Sequence, residues 1–180
     1  MLYSFEECIK KYDNQYQIEK LLQNGKIFKI EKGIYSDKKN VSELEVIAFK
    51  YPNAIFTMDS AFYYHGLTDV IPDKFYLATD RDASKIHKNT IKQLFYKDNI
   101  LKIGITTLRY QNTIIQIYDK ERMLIELIRR KNNLPFDYYK EIIENYRRIT
   151  YDLDIEKLQE YVLFFPKKEY IMNAIQLEVL

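Results

Sequence analysis

One cysteine and two histidines among 180 residues leave little material for several chemistries. Cys8 has no second cysteine to pair with, which excludes an internal disulfide and suits a reducing compartment. Two histidines and one cysteine cannot complete a tetrahedral zinc site without carboxylates, and no metal or other cofactor is expected. No apolar run approaches the roughly 18 residues of a membrane span. Glu6 and Glu7 stand where a signal peptide would be apolar. Charge of one sign is also scarce, since 28 basic residues meet 26 acidic ones. The expectation is a soluble, cytoplasmic protein away from membranes. At this length the folded chain buries roughly 70% of its unfolded surface and needs no covalent staple.

What the chain does have is concentrated between Ser4 and Ser36. Ser4 with Glu7 three residues on reads as a capping box that opens a helix to about Tyr12, burying Phe5, Cys8 and Ile9. Asp13 or Asn14 caps a second helix whose inward stripe is Ile18, Leu21 and Leu22, stopped by Gly25. Two β-prone runs, Lys26–Glu31 and Ile34–Ser36, then flank Gly33 as a hairpin. A polar-faced helix beside a lysine-studded hairpin outlines a winged-helix DNA-binding module. The whole surplus of +2 lies here, with eight lysines against six carboxylates in residues 1–40.

The polar run Asp37-Lys38-Lys39-Asn40 places a boundary near residue 40, dividing the chain into 1–40 and 41–180. Beyond it, Ser42 with Glu45 opens another helix, and a further one runs from about Thr57 to His65 before Gly66. Lys74–Thr79 and Ile91–Tyr96 read as strands, and Ile103–Tyr110 with Thr113–Tyr118 as an antiparallel hairpin across Gln111-Asn112. Helices follow from Asp119, Asp137 and Asp154, and a last amphipathic stretch begins near Lys167. Arg122, Glu126 and Arg130, spaced four apart, are expected on the outer face of their helix. The predicted fold class is α+β: an N-terminal winged helix, then a small antiparallel sheet packed with helices.

Several residues bear on function. Gln15, Tyr16, Gln17 and Lys20 lie on faces of the second helix that the apolar stripe does not claim, and Gln and Lys suit base edges and phosphates. Lys26, Lys29 and Lys32 fall on or beside the hairpin. A period-2 strand would not turn all three to one side, so the turn must bring Lys32 back. His65, near Asp59 and Asp69, is read as a helix-end residue bonding the last carbonyls rather than a catalyst. Asp80-Arg81-Asp82 is read as a turn, and Cys8 as buried and unreactive. Among the 17 tyrosines, Tyr138, Tyr139, Tyr146 and Tyr151 are candidates for a protein-contact surface.

Three segments in this order resemble the AbiEi-like antitoxins of bacterial type IV toxin–antitoxin and abortive-infection systems. Ile18 to Tyr35, ending Gly33-Ile34-Tyr35, is similar to that family's reader helix and wing. Ser60 to Leu67, ending His65-Gly66-Leu67, is similar to its small-residue helix, and Tyr118 to Arg129 to its strand-to-helix Glu-Arg segment. Many members carry a further helix before the pair, whereas here Met1 to Tyr3 precede Ser4, implying a shortened winged helix. The resemblance implies a non-enzymatic autorepressor that binds inverted repeats in a shared promoter, as a monomer or weak dimer pairing on DNA. It implies phage defence by neutralising a nucleotidyltransferase-like toxin, for which a stable complex between the two is not required. The competing readings are a protein-interaction module that docks through the same surface and binds no DNA, and a degenerate nucleotidyltransferase.

Overall fold

A computed structural model describes residues 1–180. It is α+β with two sheets, and the chain divides into two compact units, Met1–Pro52 and Asn53–Leu180. No helix is long and apolar enough to cross a membrane.

The smaller unit runs β1 (Leu2–Ser4), α1 (Phe5–Tyr12), α2 (Gln15–Gln23), β2 (Phe28–Glu31), β3 (Ile34–Ser36) and α3 (Glu43–Lys50). Its sheet is antiparallel in the order β1-β3-β2. Cys8, Ile18, Ile27 and Tyr35 form one core cluster between the α1–α2 pair and one sheet face. Leu2, Ile34 and Val46 form a second, joined by Ile30 and Phe49, which ties α3 to the other face. That packing is why α3, expected beyond a boundary at residue 40, belongs to this unit. The polar run before it is a loop inside the unit. Phe5, expected on the buried face of α1, is 40% exposed, with its ring 6.3 Å from that of Tyr35.

The larger unit contains β4 (Ile55–Phe56), α4 (Met58–Tyr64), β5 (Phe75–Asp80), β6 (Ile91–Tyr96), α5 (Asp98–Leu101), β7 (Ile105–Tyr110) and β8 (Thr113–Tyr118). Helices α6 (Lys120–Arg129), α7 (Phe136–Arg148), α8 (Ile155–Val162) and α9 (Lys168–Glu178) follow. The sheet order is β6-β5-β4-β8-β7, and it is mixed, which corrects the antiparallel expectation. The β7–β8 hairpin and the β4–β5 pair are antiparallel, but β5 with β6 and β4 with β8 are parallel. Parallel neighbours are joined by crossovers, and a crossover leaves no local turn signal in the sequence.

Helix α6 is the axis of this unit. Its N-cap Asp119 accepts from the Arg122 N–H at 2.8 Å, and every residue from Glu121 to Ile128 is buried. The helix packs against α4, α8 and α9. Arg122 and Glu126, expected on an outer face, are both wholly buried, with Arg122 Nη2 donating to Glu126 Oε1 at 2.7 Å. Glu126 also receives Arg129 Nη1 at 2.9 Å and Arg130 Nε at 3.3 Å. The Nε and Nη1 of Arg122 meet no acceptor. The guanidinium instead faces the Phe165 and Tyr118 rings at 4.3 and 4.8 Å, where ring quadrupoles substitute in part for lost water. The i,i+4 spacing was legible; the face was not, because neighbours surround this helix on all sides. Gly104 marks how closely the loop before β7 approaches it. With φ at +74°, an added Cβ would stand 2.5 Å from Arg122 Cβ.

His65 ends α4, but its ring reaches across the fold rather than to its own helix carbonyls. Nε2 lies 2.7 Å from the Tyr118 carbonyl oxygen, so a neutral ring donates that bond. Burial is the larger influence and lowers the His65 pKa below the ordinary imidazole value, with the Tyr118 bond opposing it.

Two outcomes are expected. Glu126→Leu strands the buried Arg122 charge and should cost about 3–5 kcal/mol in urea unfolding, while adding Arg122→Met should recover most of that loss. Because the His65 pKa is depressed on folding, the unfolded chain binds more protons below about pH 6.5, so stability rises with pH through that window. The unfolding free energy should therefore fall as the medium is acidified from about pH 7 to 5, and His65→Gln should flatten the slope. An unchanged slope would contradict this placement of the ring.

Candidate nucleic-acid interface

The surface in question begins with two caps. The Glu7 N–H donates to Ser4 Oγ at 3.2 Å and the Ser4 N–H to Glu7 Oε2 at 2.7 Å, completing the capping box of α1. These bonds hold the Glu7 carboxyl below its usual pKa, the Ser4 backbone N–H being the main cause. Asn14 caps α2, accepting from the Gln17 N–H at 3.0 Å. Cys8 is fully buried, and burial pushes its thiol pKa up, as an unreactive core cysteine requires.

Burying Ile18 fixes how α2 is rotated, with Leu21 and Leu22 packed beside it. At about 100° per residue, Tyr16 and Lys20 stand roughly opposite Ile18. Both are exposed, Tyr16 to 69%. Gln17 and Gln15 are also exposed, Gln17 on the flank of that face and Gln15 beside the apolar stripe, where its Nε2 donates along the helix to Glu19 Oε1 at 3.0 Å. Gln23, exposed and close to the same outward line, was missed because it follows the apolar stripe and reads as helix exit.

The hairpin lysines separate into two groups. Lys26 is exposed in the tight exit from α2, its N–H bonded to the Leu21 carbonyl at 2.9 Å, and is not on β2. Lys29 pairs in register with Tyr35, so it shares the sheet face that carries α1 and α2. The register then shifts between Lys29 and Glu31. Ile30 packs with Leu2, Ile34 and Val46 on the other face, and Glu31 reaches Lys50 of α3 at 2.7 Å. Two successive residues thus face α3, and the extra one displaces the alternation by a step. Lys32, exposed at the tip beside Gly33 with φ +78°, returns by register to the side of Lys29. The bulge supplies the reversal expected of the turn. No ion pair occupies Lys20, Lys26, Lys29 or Lys32, whereas Lys11 is held by Tyr3 Oη at 2.6 Å.

No known family model matches the chain, and no curated protein matches it either. The geometry therefore stands on its own.

The tyrosines do not form the surface expected of them. Tyr139 and Tyr146 are buried, their hydroxyls donating to Glu178 Oε2 at 2.7 Å and the Lys120 carbonyl at 2.9 Å. They lie on the inward stripe of α7 with Ile142 and Ile143, and the helical period overrides the interface propensity of the residue type. Tyr138 is half-buried against Asp59, and Tyr151 stands alone in solvent. Asp80 and Asp82 form a turn in which the Asp82 N–H donates to Asp80 Oδ1 at 2.8 Å.

Because the polar side chains of this face rest on no core cluster, Tyr16→Ala, Lys20→Ala, Lys29→Ala and Lys32→Ala should each leave unfolding free energy within about 0.5 kcal/mol of the parent. Ile18→Ala, by contrast, should cost about 2–5 kcal/mol. A large loss at Tyr16 or Lys20 in urea titration would show that α2 is rotated differently.

Proposed function

We propose that residues 1–52 form a winged helix in which α2 enters the DNA major groove and the β2–β3 hairpin lies on the phosphates. The observation that carries this reading is the convergence of unpaired lysines from two elements. Lys20 projects from the outward line of α2, while Lys29 lies by its register with Tyr35 on the sheet face that bears the same helix, and the bulge returns Lys32 to that face. In such an arrangement the lysines position the module on the backbone, and Gln17 and Gln23 reach base edges, where a Gln amide pairs with adenine.

The role we propose for the whole chain is that of an antitoxin repressing its own toxin–antitoxin promoter in bacterial abortive infection. The ordered likeness of Ile18–Tyr35, Ser60–Leu67 and Tyr118–Arg129 to the AbiEi-like antitoxins supports it. On that reading two copies meet on an inverted repeat, each α2 in one half-site, with half-sites about one helical turn apart. Its functional counterpart is a nucleotidyltransferase-like toxin encoded next to it, which it neutralises with no stable complex required, and the chain has no catalysis of its own.

The test is a salt titration of the full chain against DNA from upstream of its own gene. Binding should weaken steeply as salt rises, and Lys29→Ala or Lys32→Ala should each reduce the log–log slope by about 0.9. Lys39→Ala, in the loop beyond the hairpin, should leave it unchanged. A slope near zero would favour the protein-docking alternative, and a steep slope unmoved by either variant would reject the hairpin as the phosphate contact.

A further inference from the structure

Strand β7 lies at one edge of the five-stranded sheet, where β8 alone pairs with it. Its register with β8 runs unbroken from Ile105–Tyr118 to Tyr110–Thr113. The Asp119 N–H donates to the Gly104 carbonyl at 2.7 Å, which fixes the parity of that ladder. Hydrogen-bonded residues alternate in an antiparallel pair, so Thr106, Leu108 and Tyr110 bond to β8. Ile105, Thr107 and Arg109 then direct their N–H and C=O groups away from the sheet. Those groups meet no partner in the chain, and all three residues are exposed.

Open edges are commonly blunted by brevity, lysine, proline or a bulge. Strand β1 has three residues, β2 combines a bulge with Lys29, and β6 exposes Lys92. β7 has none of these devices: it spans six residues, contains neither lysine nor proline, and keeps its register. The hairpin face that carries Ile105 and Ile114 leaves them 40% and 59% exposed. The strand offers unpaired backbone and uncovered apolar surface together.

This edge is also complementary to itself. Set against a second copy about a two-fold axis through Thr107, Ile105 falls opposite Arg109 and Arg109 opposite Ile105. Every outward-pointing residue of β7 then faces another, and each pair exchanges two N–H···O bonds. The side chains match in the same register. Thr107 meets Thr107, a favourable cross-strand pair. The Arg109 stem lies between Ile114, its own neighbour on β8, and Ile105 of the second copy. The two guanidiniums are separated by the span from Ile105 to Arg109, roughly 13 Å of strand, so like charges do not oppose.

We propose that two copies of this chain associate through β7, antiparallel about Thr107, joining their sheets into one. A two-fold contact of this kind uses the same patch twice and closes at the dimer. The proposal is independent of the DNA reading, and because its test contains no DNA, its failure would leave that reading intact.

The experiment is sedimentation velocity of the full chain from micromolar to submillimolar concentration. The parent should pass from monomer to dimer and no further. Thr107→Lys and Thr107→Glu, each a change in an exposed side chain, should raise the dissociation constant at least about 5-fold, because like charges meet on the axis. An equimolar mixture of the two variants should bind within about 3-fold of the parent or tighter. Thr107→Pro removes an N–H that β8 does not use, so the fold should hold while the constant rises at least about 10-fold. A parent that stays monomeric at submillimolar concentration overturns the proposal, as does assembly beyond the dimer. It is equally overturned if the charged variants dimerise like the parent, or if mixing them gives no tighter association than either alone.

Discussion

The larger unit is organised around one buried charge interaction, the Arg122–Glu126 pair within α6. Two opposite charges removed from water are costly to desolvate, and only close geometry with further bonds offsets that cost. Here a single carboxylate gathers three guanidiniums, and aromatic rings enclose the deepest of them. The arrangement requires α6 to sit in one rotation and at one depth. Gly104 leaves no space for a side chain against Arg122, and Asp119 caps the helix while also accepting from Tyr161 Oη at 3.0 Å and pairing with Lys157 at 2.7 Å. An apolar helix could slide or rotate among near-equivalent packings; this one cannot do so without stranding a charge.

The same cluster extends to a cleft beside it. Arg130 lines a cleft of about 630 Å³ in the larger unit, where Glu126 and Tyr96 hold its Nε and Nη2. The Tyr96 ring is edge-on to Tyr118 at 6.3 Å, and the Arg122 guanidinium faces both rings, so strand β6 and the buried pair are joined through them.

In the smaller unit the corresponding constraint is the bulge at Ile30. Two clusters lie on opposite faces of a three-stranded sheet, and satisfying both requires a residue out of alternation. That packing demand, with no contribution from the lysines themselves, puts Lys32 on the same side of the hairpin as Lys29. The surface chemistry of the hairpin is thus a consequence of its core.

Much of the molecule was legible from local rules. The caps at Ser4, Asn14, Ser42, Asp119 and Asp154 each place a side-chain oxygen against an orphan N–H, and that chemistry is confined to a few consecutive residues. The inward stripes of α2 and α7 and the β7–β8 hairpin follow from periodicity in the same way. What distant neighbours decide was not legible. The parallel pairing of β5 with β6, the membership of α3 in the smaller unit, the burial of Arg122 and Glu126 and the convergence of Asp59 with Tyr138 all join residues far apart in sequence. The sequence by itself determined where elements start, stop and turn their apolar side, because those depend on bonds within a turn or two of chain. Only the tertiary structure decided which polar residues lie inside and which share a surface, because desolvation depends on everything that surrounds a side chain.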